Sequence, residues 1–242
     1  MSTTRVQVCG RLAVAWEGRR VEDELPARQG RLLFVFLVVH RAVPVGRDAL
    51  ADAVGATDVT LRPLLSRLRR VLGPEAVTTG EQPRLALPAD AFVDLDAARE
   101  GLHRAEAAVA AADWARGWAP ARIALHTATR GFLPGHDAPW AAEIRGELDE
   151  MRLRALECVG EIGLGMGGGE LDAAERSGRR LVQLAPFRES GHRLLMEALA
   201  ARGNVAEALL AYERVRTLLR DELGVPPAQT LQRLHERLLS SG

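Results

Sequence analysis

Lysine is absent from this chain: all 32 basic residues are arginine. Composition alone gives that absence no functional meaning, although arginine is the cation best suited to bidentate contacts with phosphate and guanine. Net charge is missing as well, because 32 acidic residues balance the arginines. A strongly basic nucleic-acid binder, taken over the whole chain, is thereby excluded. Residues 1–99 hold 14 arginines against 12 acids, so charge informs only locally. Cysteine is scarce. Cys9 and Cys158 stand alone in different segments, which argues against a disulfide framework or a cysteine metal site and fits a reducing compartment. Long apolar runs are lacking too: the longest spans residues 32–39, far short of the ~20 residues of a membrane-crossing helix. With no signal peptide either, a cytoplasmic protein is expected.

Signals of catalysis are equally thin. The six histidines show no metal-ligand spacing, and no Ser or Cys sits in a nucleophile elbow. Gly163-Leu164-Gly165-Met166-Gly167-Gly168 fits the G-x-G-x-x-G fingerprint formally. That motif needs a preceding strand so that phosphate meets a helix N-terminus, whereas here a helical pattern over 152–162 precedes it. His136-Asp137 is a loop pair with no nucleophile nearby, and reads as structural. No enzyme, cofactor or metal is expected.

What the chain does contain is helix pairs. Hydrophobic residues make up 47% of it, so a folded state with sizeable cores is expected. From Pro186 to Pro227 the apolar positions Leu194, Leu195, Ala198 and Leu199, then Ala208, Tyr212, Val215 and Leu219, follow helical spacing. Gly203 ends the first helix in a left-handed conformation and Asn204 caps the next. Leu223-Gly224 and Pro226-Pro227 stop the second helix and start another. The stretch 169–174, GELDAA, aligns with 203–208, GNVAEA, an offset of 34 residues, the period of tetratricopeptide (TPR) units. A degraded third copy lies at 113–117. A lone pair cannot bury both faces, so an α-solenoid follows.

The N-terminal part reads differently. Val6, Val8, Leu12, Val14 and Trp16 alternate as a strand does, with a turn at Glu17-Gly18 and a second strand through Val21. Helices follow over 26–39, 47–54 and 60–72, then short strands at 76–79 and 84–87. Pro63 is tolerated in a first helical turn only, which delays the start of the third helix. In that helix Leu61, Leu64, Leu65, Leu68, Val71 and Leu72 share one arc, with Arg62, Ser66 and Arg70 opposite and Arg67 and Arg69 on the flanks. Between Val59 and Gly73 there are four arginines and no acid. Asp94 or Asp96 caps a further helix reaching about Ala112. No Gly/Ser linker intervenes, so the two halves are expected to pack together.

These stretches carry a family resemblance. Ala121 to Glu157, with Gly131-Phe132-Leu133-Pro134-Gly135 and Trp140, and then Pro186 to Pro227, resemble the bacterial transcriptional activator domain. That is the TPR-like half of SARP-type regulators, where it follows an OmpR-type winged helix-turn-helix. Leu65-Ser66-Arg67-Leu68-Arg69-Arg70 is similar to the third helix of the same regulators. The implied fold is mainly α: an α+β winged helix-turn-helix over 1–90, then an all-α TPR-like solenoid over 91–242. The implied function is transcription regulation, as an activator. Double-stranded DNA is the implied partner, expected to be contacted through Arg62, Ser66, Arg67, Arg69 and Arg70 on the recognition helix and Thr78, Thr79 and Arg84 on the wing. For the TPR-like half the resemblance implies homodimerisation on DNA, an effector or RNA polymerase as contacts, and no membrane is involved. The chain departs from the family at 53–59, where members carry a longer loop with a Trp and prolines that is implicated in polymerase contact. It departs again at Arg84, where members often have an aromatic. An alternative from another class is a TPR scaffold whose degenerate winged helix no longer binds DNA.

Overall fold

The computed structural model describes residues 4–240. It divides into two compact units, residues 1–97 with 130–148, and residues 98–129 with 149–242. The architecture is the expected one, an α+β unit followed in the chain by an all-helical one.

In the first unit, β1 (Arg5–Gln7), β2 (Ala13–Trp16) and β3 (Arg19–Arg20) form antiparallel pairs, with Val6 opposite Val14 and Trp16 opposite Arg19. A short strand that alternation alone did not reveal, β4 (Phe92–Val93), adds parallel to β1 and gives the order β3-β2-β1-β4. Val6, Val8, Val14 and Trp16 are buried. Helix α1 (Ala27–Val39) follows, with residues 32–38 all buried. The apolar run is thus the central helix of a three-helix core with α2 (Arg47–Val54) and α3 (Asp58–Leu72).

Helix α3 begins earlier than Pro63 suggested. Thr57 and Thr60 form a reciprocal capping box that sets the start at Asp58 and leaves Pro63 inside the helix. The cap satisfies the N–H groups of Thr57 and Thr60, and Pro63 removes one further donor from the helix. The wing is also slighter than two strands. It is a hairpin held by one bridge, Val77 to Leu85, and by Thr78 N donating to Arg84 O at 3.0 Å and Ala86 N to Ala76 O at 2.8 Å.

Residues 130–148, which a boundary at 90/91 assigns to the second domain, complete the first unit instead. Gly10 N donates to Gly131 O at 2.7 Å, and Phe132 bridges to Cys9. Trp140 Nε1 donates to Ala53 O at 2.9 Å, and its ring meets Phe36 and Phe132 edge-on at 5.1 and 5.7 Å. Phe132 and Leu133 are thus buried core residues of the winged-helix unit, and Trp140 packs half-buried against Phe132, while Pro134 and Gly135 stay exposed. Asp94 is the first residue of α4 (Asp94–Ala110), but its carboxylate accepts from Val8 N and Cys9 N at 2.8 and 3.1 Å and from Arg130 at 3.0 Å. It clamps the end of β1 to residue 130. Burial pushes its carboxyl above the ordinary value despite those donors.

The second unit contains α4 from residue 98, α5 (Trp114–Thr129), α6 (Pro139–Met166) from residue 149, α7 (Leu171–Leu184), α8 (Glu189–Ala201), α9 (Val205–Leu223) and α10 (Gln229–Ser240). The 34-residue offset separates the starts of α7 and α9, and the degraded third copy is the start of α5. A small buried residue recurs at the same place in each: Gly117, Ala174 and Ala208. A Cβ on Gly117 would stand 2.8 Å from Ile162 and 3.0 Å from Ala108, which shows how closely the helices cross there. Gly203 has φ +83° and Gly224 closes α9 in the left-handed region, as expected. Asn204 occupies the N-cap of α9, but its side chain makes no capping bond. Tyr212 is 7% exposed, within a cluster that includes Leu199, Val215 and Leu231, and stacks on His235 at 3.9 Å.

Candidate functional site

Helix α3 owes its orientation to its sequence pattern. Leu61, Leu65, Leu68 and Leu72 are buried against the other two helices, so the opposite side must face solvent. Arg62, Ser66, Arg67, Arg69 and Arg70 are all exposed, and so are Thr78, Thr79 and Arg84 on the hairpin. One exposed basic surface therefore carries the helix residues, and the hairpin follows at the C-terminal end of α3.

The eight residues are not equally free. Arg62, with 74% of its side chain exposed, lies 3.3 Å from Asp58 one turn back. Arg69 Nε donates to Pro74 O at 2.9 Å and so ties the helix end to the hairpin. Thr78 Oγ1 accepts from Arg84 N at 2.9 Å, so this hydroxyl is part of the hairpin's own scaffold. The guanidinium groups of Arg67 and Arg70 meet no acid among the described residues. They remain available for an outside anion.

Two residues beyond the expected set belong to this surface. Val59 is 79% exposed at the start of the helix, on the same side as Ser66 and Arg70. Its signal in the sequence was an apolar residue at a position of polar phase. Arg47 gave no such signal, because its partners are distant in the chain. It donates to Asp58 at 2.8 Å, 11 residues away, and to Thr79 O at 3.3 Å, 32 residues away. Arg47 thereby links the start of α3 to the tip of the hairpin. Its hydrogen bond holds the Asp58 carboxyl below the ordinary carboxylate range.

The glycine-rich stretch lacks the setting that phosphate binding needs. Helix α6 runs through Gly163 and Gly165 to Met166, and a single 3-10 turn at Gly168–Glu170 leads into α7. A Cβ on Gly163 would stand 2.8 Å from Glu170 O, and one on Gly165 would stand 2.3 Å from the Trp114 ring. These glycines let helices touch.

Residues 93–239 match the bacterial transcriptional activator domain. The chain belongs to that family. Its resemblance to SARP-type regulators extends over nearly all of it. Over 236 residues it is 33% identical to the regulatory protein AfsR of Streptomyces coelicolor, covering 94% of this chain and 23% of that protein. It is also 38% identical over 92 residues to the transcriptional regulator RedD of the same organism, covering 38% of this chain and 26% of RedD. The solved structure of Mycobacterium tuberculosis EmbR, in complex with a low-affinity phosphopeptide, has a TM-score of 0.82 at 25% identity. That likeness covers 98% of this chain and 65% of the EmbR chain. The match at 93–239 takes in residues of both compact units, and the chain spans about a quarter of AfsR.

Proposed function

We propose that this protein is a transcription regulator that binds operator DNA through its winged-helix unit. The single observation that carries the reading is the outward side of α3. It presents exposed arginines with no acid between Val59 and Gly73, on a helix whose other side is locked into the core. An α-helix fits the major groove, where arginine reads guanine and binds phosphate. Arg62, Ser66 and Arg70 reach base edges, while Arg67 and Arg69 meet the backbone on either side. Thr79 and Arg84, with Thr78 holding the hairpin, contact the adjacent backbone.

The names of the relatives, a regulatory protein and a transcriptional regulator, support regulation as the task. The helical unit carries the partner contacts, a second copy on DNA and RNA polymerase, and activation is the direction that the family supports. A regulator of this kind works in the cytoplasm. Among the described residues, no helix is long and apolar enough to cross a membrane.

Selection of bound duplexes from a random library, followed by gel shifts, tests the reading. The wild type should enrich one sequence, and Arg62→Ala with Arg70→Ala should abolish specific binding at nearly unchanged thermal stability. Failure of the wild type to enrich any sequence would favour the scaffold alternative.

A further inference from the structure

The helical unit contains a groove of about 510 Å³ formed by α5, α6 and α7, within the ~300–1,000 Å³ typical of binding sites. Leu156, Val159 and Ala173 supply apolar lining, and Arg122, Arg152, Arg176 and Arg180 bring four guanidinium groups to it. Only one acid, Glu170, lines it.

Elsewhere in this unit several arginines are neutralised, although Arg104, Arg116, Arg214 and Arg233 stay without an ion pair among the described residues. Glu106 takes Arg154, Glu150 and Glu157 take Arg188, Glu161 and Glu197 take Arg193, and Asp172 and Glu175 take Arg202. The four at the groove form no ion pair among the described residues. Arg122 lies over the Trp118 ring at 5.6 Å, and Arg180 donates to the neutral Gln183 at 3.1 Å. Arg176 and Arg180 stand one turn apart on α7 and share a face. Uncompensated cations repel one another, so a ligand of opposite charge gains by joining them.

We propose that this groove binds an acidic segment of a protein partner that also carries apolar side chains. Four guanidinium groups on three helices match several carboxylates spaced along a chain, which a single small anion does not supply. Arg176 and Arg180 take carboxylates in charge-assisted, bidentate fashion, and apolar side chains of the segment settle on Leu156 and Val159. Duplex DNA is excluded as the occupant by shape, because its convex rod does not reach an apolar floor between helices. The proposal rests on the partner-binding half of the function proposed above and is independent of its DNA-binding half.

The full chain is titrated into a fluorescein-labelled peptide rich in Glu with Leu at every fourth position, and anisotropy is followed. An operator gel shift runs in parallel. Saturable binding is expected, weakened about tenfold or more by Arg176→Glu with Arg180→Glu and by added salt, with operator binding unchanged. Arg122→Gln with Arg152→Gln provides a second, milder variant with the same expected direction. Four results overturn the proposal: no saturable binding by the wild type, equal binding by both variants, equal binding of a Gln-for-Glu peptide, or full displacement by equimolar pyrophosphate. Loss of operator binding by Arg62→Ala with Arg70→Ala reports only on the other half.

Discussion

Helices α3 and α8 are both amphipathic and both carry arginine on the side away from their leucines, yet the two treat that charge in opposite ways. On α8, Arg193 is closed between Glu161 and Glu197, all three side chains about 30% exposed. On α3, Arg67 and Arg70 have no acid to meet. In the helical unit Arg154, Arg179, Arg188, Arg193 and Arg202 likewise stitch one helix to the next, whereas the four groove arginines stay open as those of α3 do. Arginine that is already paired contributes modest stability and has little left for a ligand. Arginine left open costs the fold nothing at an exposed site and is free to bind. The same residue type therefore marks cohesion in one place and recognition in another, and the partner acid tells which.

That comparison can be sharpened by experiment. The largest expected loss of stability lies with neither kind of arginine but with the core they surround. Tyr212→Ala should cost roughly 3–5 kcal/mol, read from the denaturant midpoint, because the buried ring leaves a cavity against His235 and Val215. Stacked repeats should pass that loosening to their neighbours. Next comes Arg193→Ala, which strands Glu161 and Glu197 half-buried without a cation. About 1–2 kcal/mol of stability should go, with operator affinity unchanged. The mirror experiment is Arg70→Ala. Stability should shift by less than about 0.5 kcal/mol, while the operator gel shift weakens by roughly tenfold. If Arg193→Ala weakened operator binding and Arg70→Ala lowered the melting temperature, the contrast between paired and open arginines would be broken.

The smallest effect concerns acid. Burial of His192, whose Nε2 lies 2.8 Å from Pro186 O, lowers its pKa from the ordinary 6.5. The unfolded chain then binds the extra proton more readily than the folded one, so stability is full above 6.5 and declines as pH falls through it. Denaturant midpoints on either side of that value should differ in the wild type and differ less in His192→Gln, in which His136, also held below 6.5, keeps part of the dependence.

Much of this molecule was readable along the chain, because its signals are local. The leucine arc of α3, the left-handed glycines at 203 and 224 and the 34-residue offset each depend on residues a few positions apart or on one repeated unit. Helical spacing alone fixed which side of α3 would face out. Pro63 misled for an equally local reason: the rule against proline inside a helix was outweighed by a capping box between Thr57 and Thr60.

Tertiary structure alone decided where residues 130–148 belong. In sequence, Trp140 and Phe132 sit between two helices of the repeat half, and nothing near them points to Phe36 or to Ala53, 87 residues away. The choice was made by Asp94 and Arg130, which join β1 to distant chain, and by the space beside α1 that an indole could fill. The groove arginines belong to the same class of fact. Arg122, Arg152, Arg176 and Arg180 look like any other arginine in the sequence, since whether a charge is open or closed depends on which acid the fold brings beside it. Periodicity determines which side of a helix faces out; only packing determines what waits there.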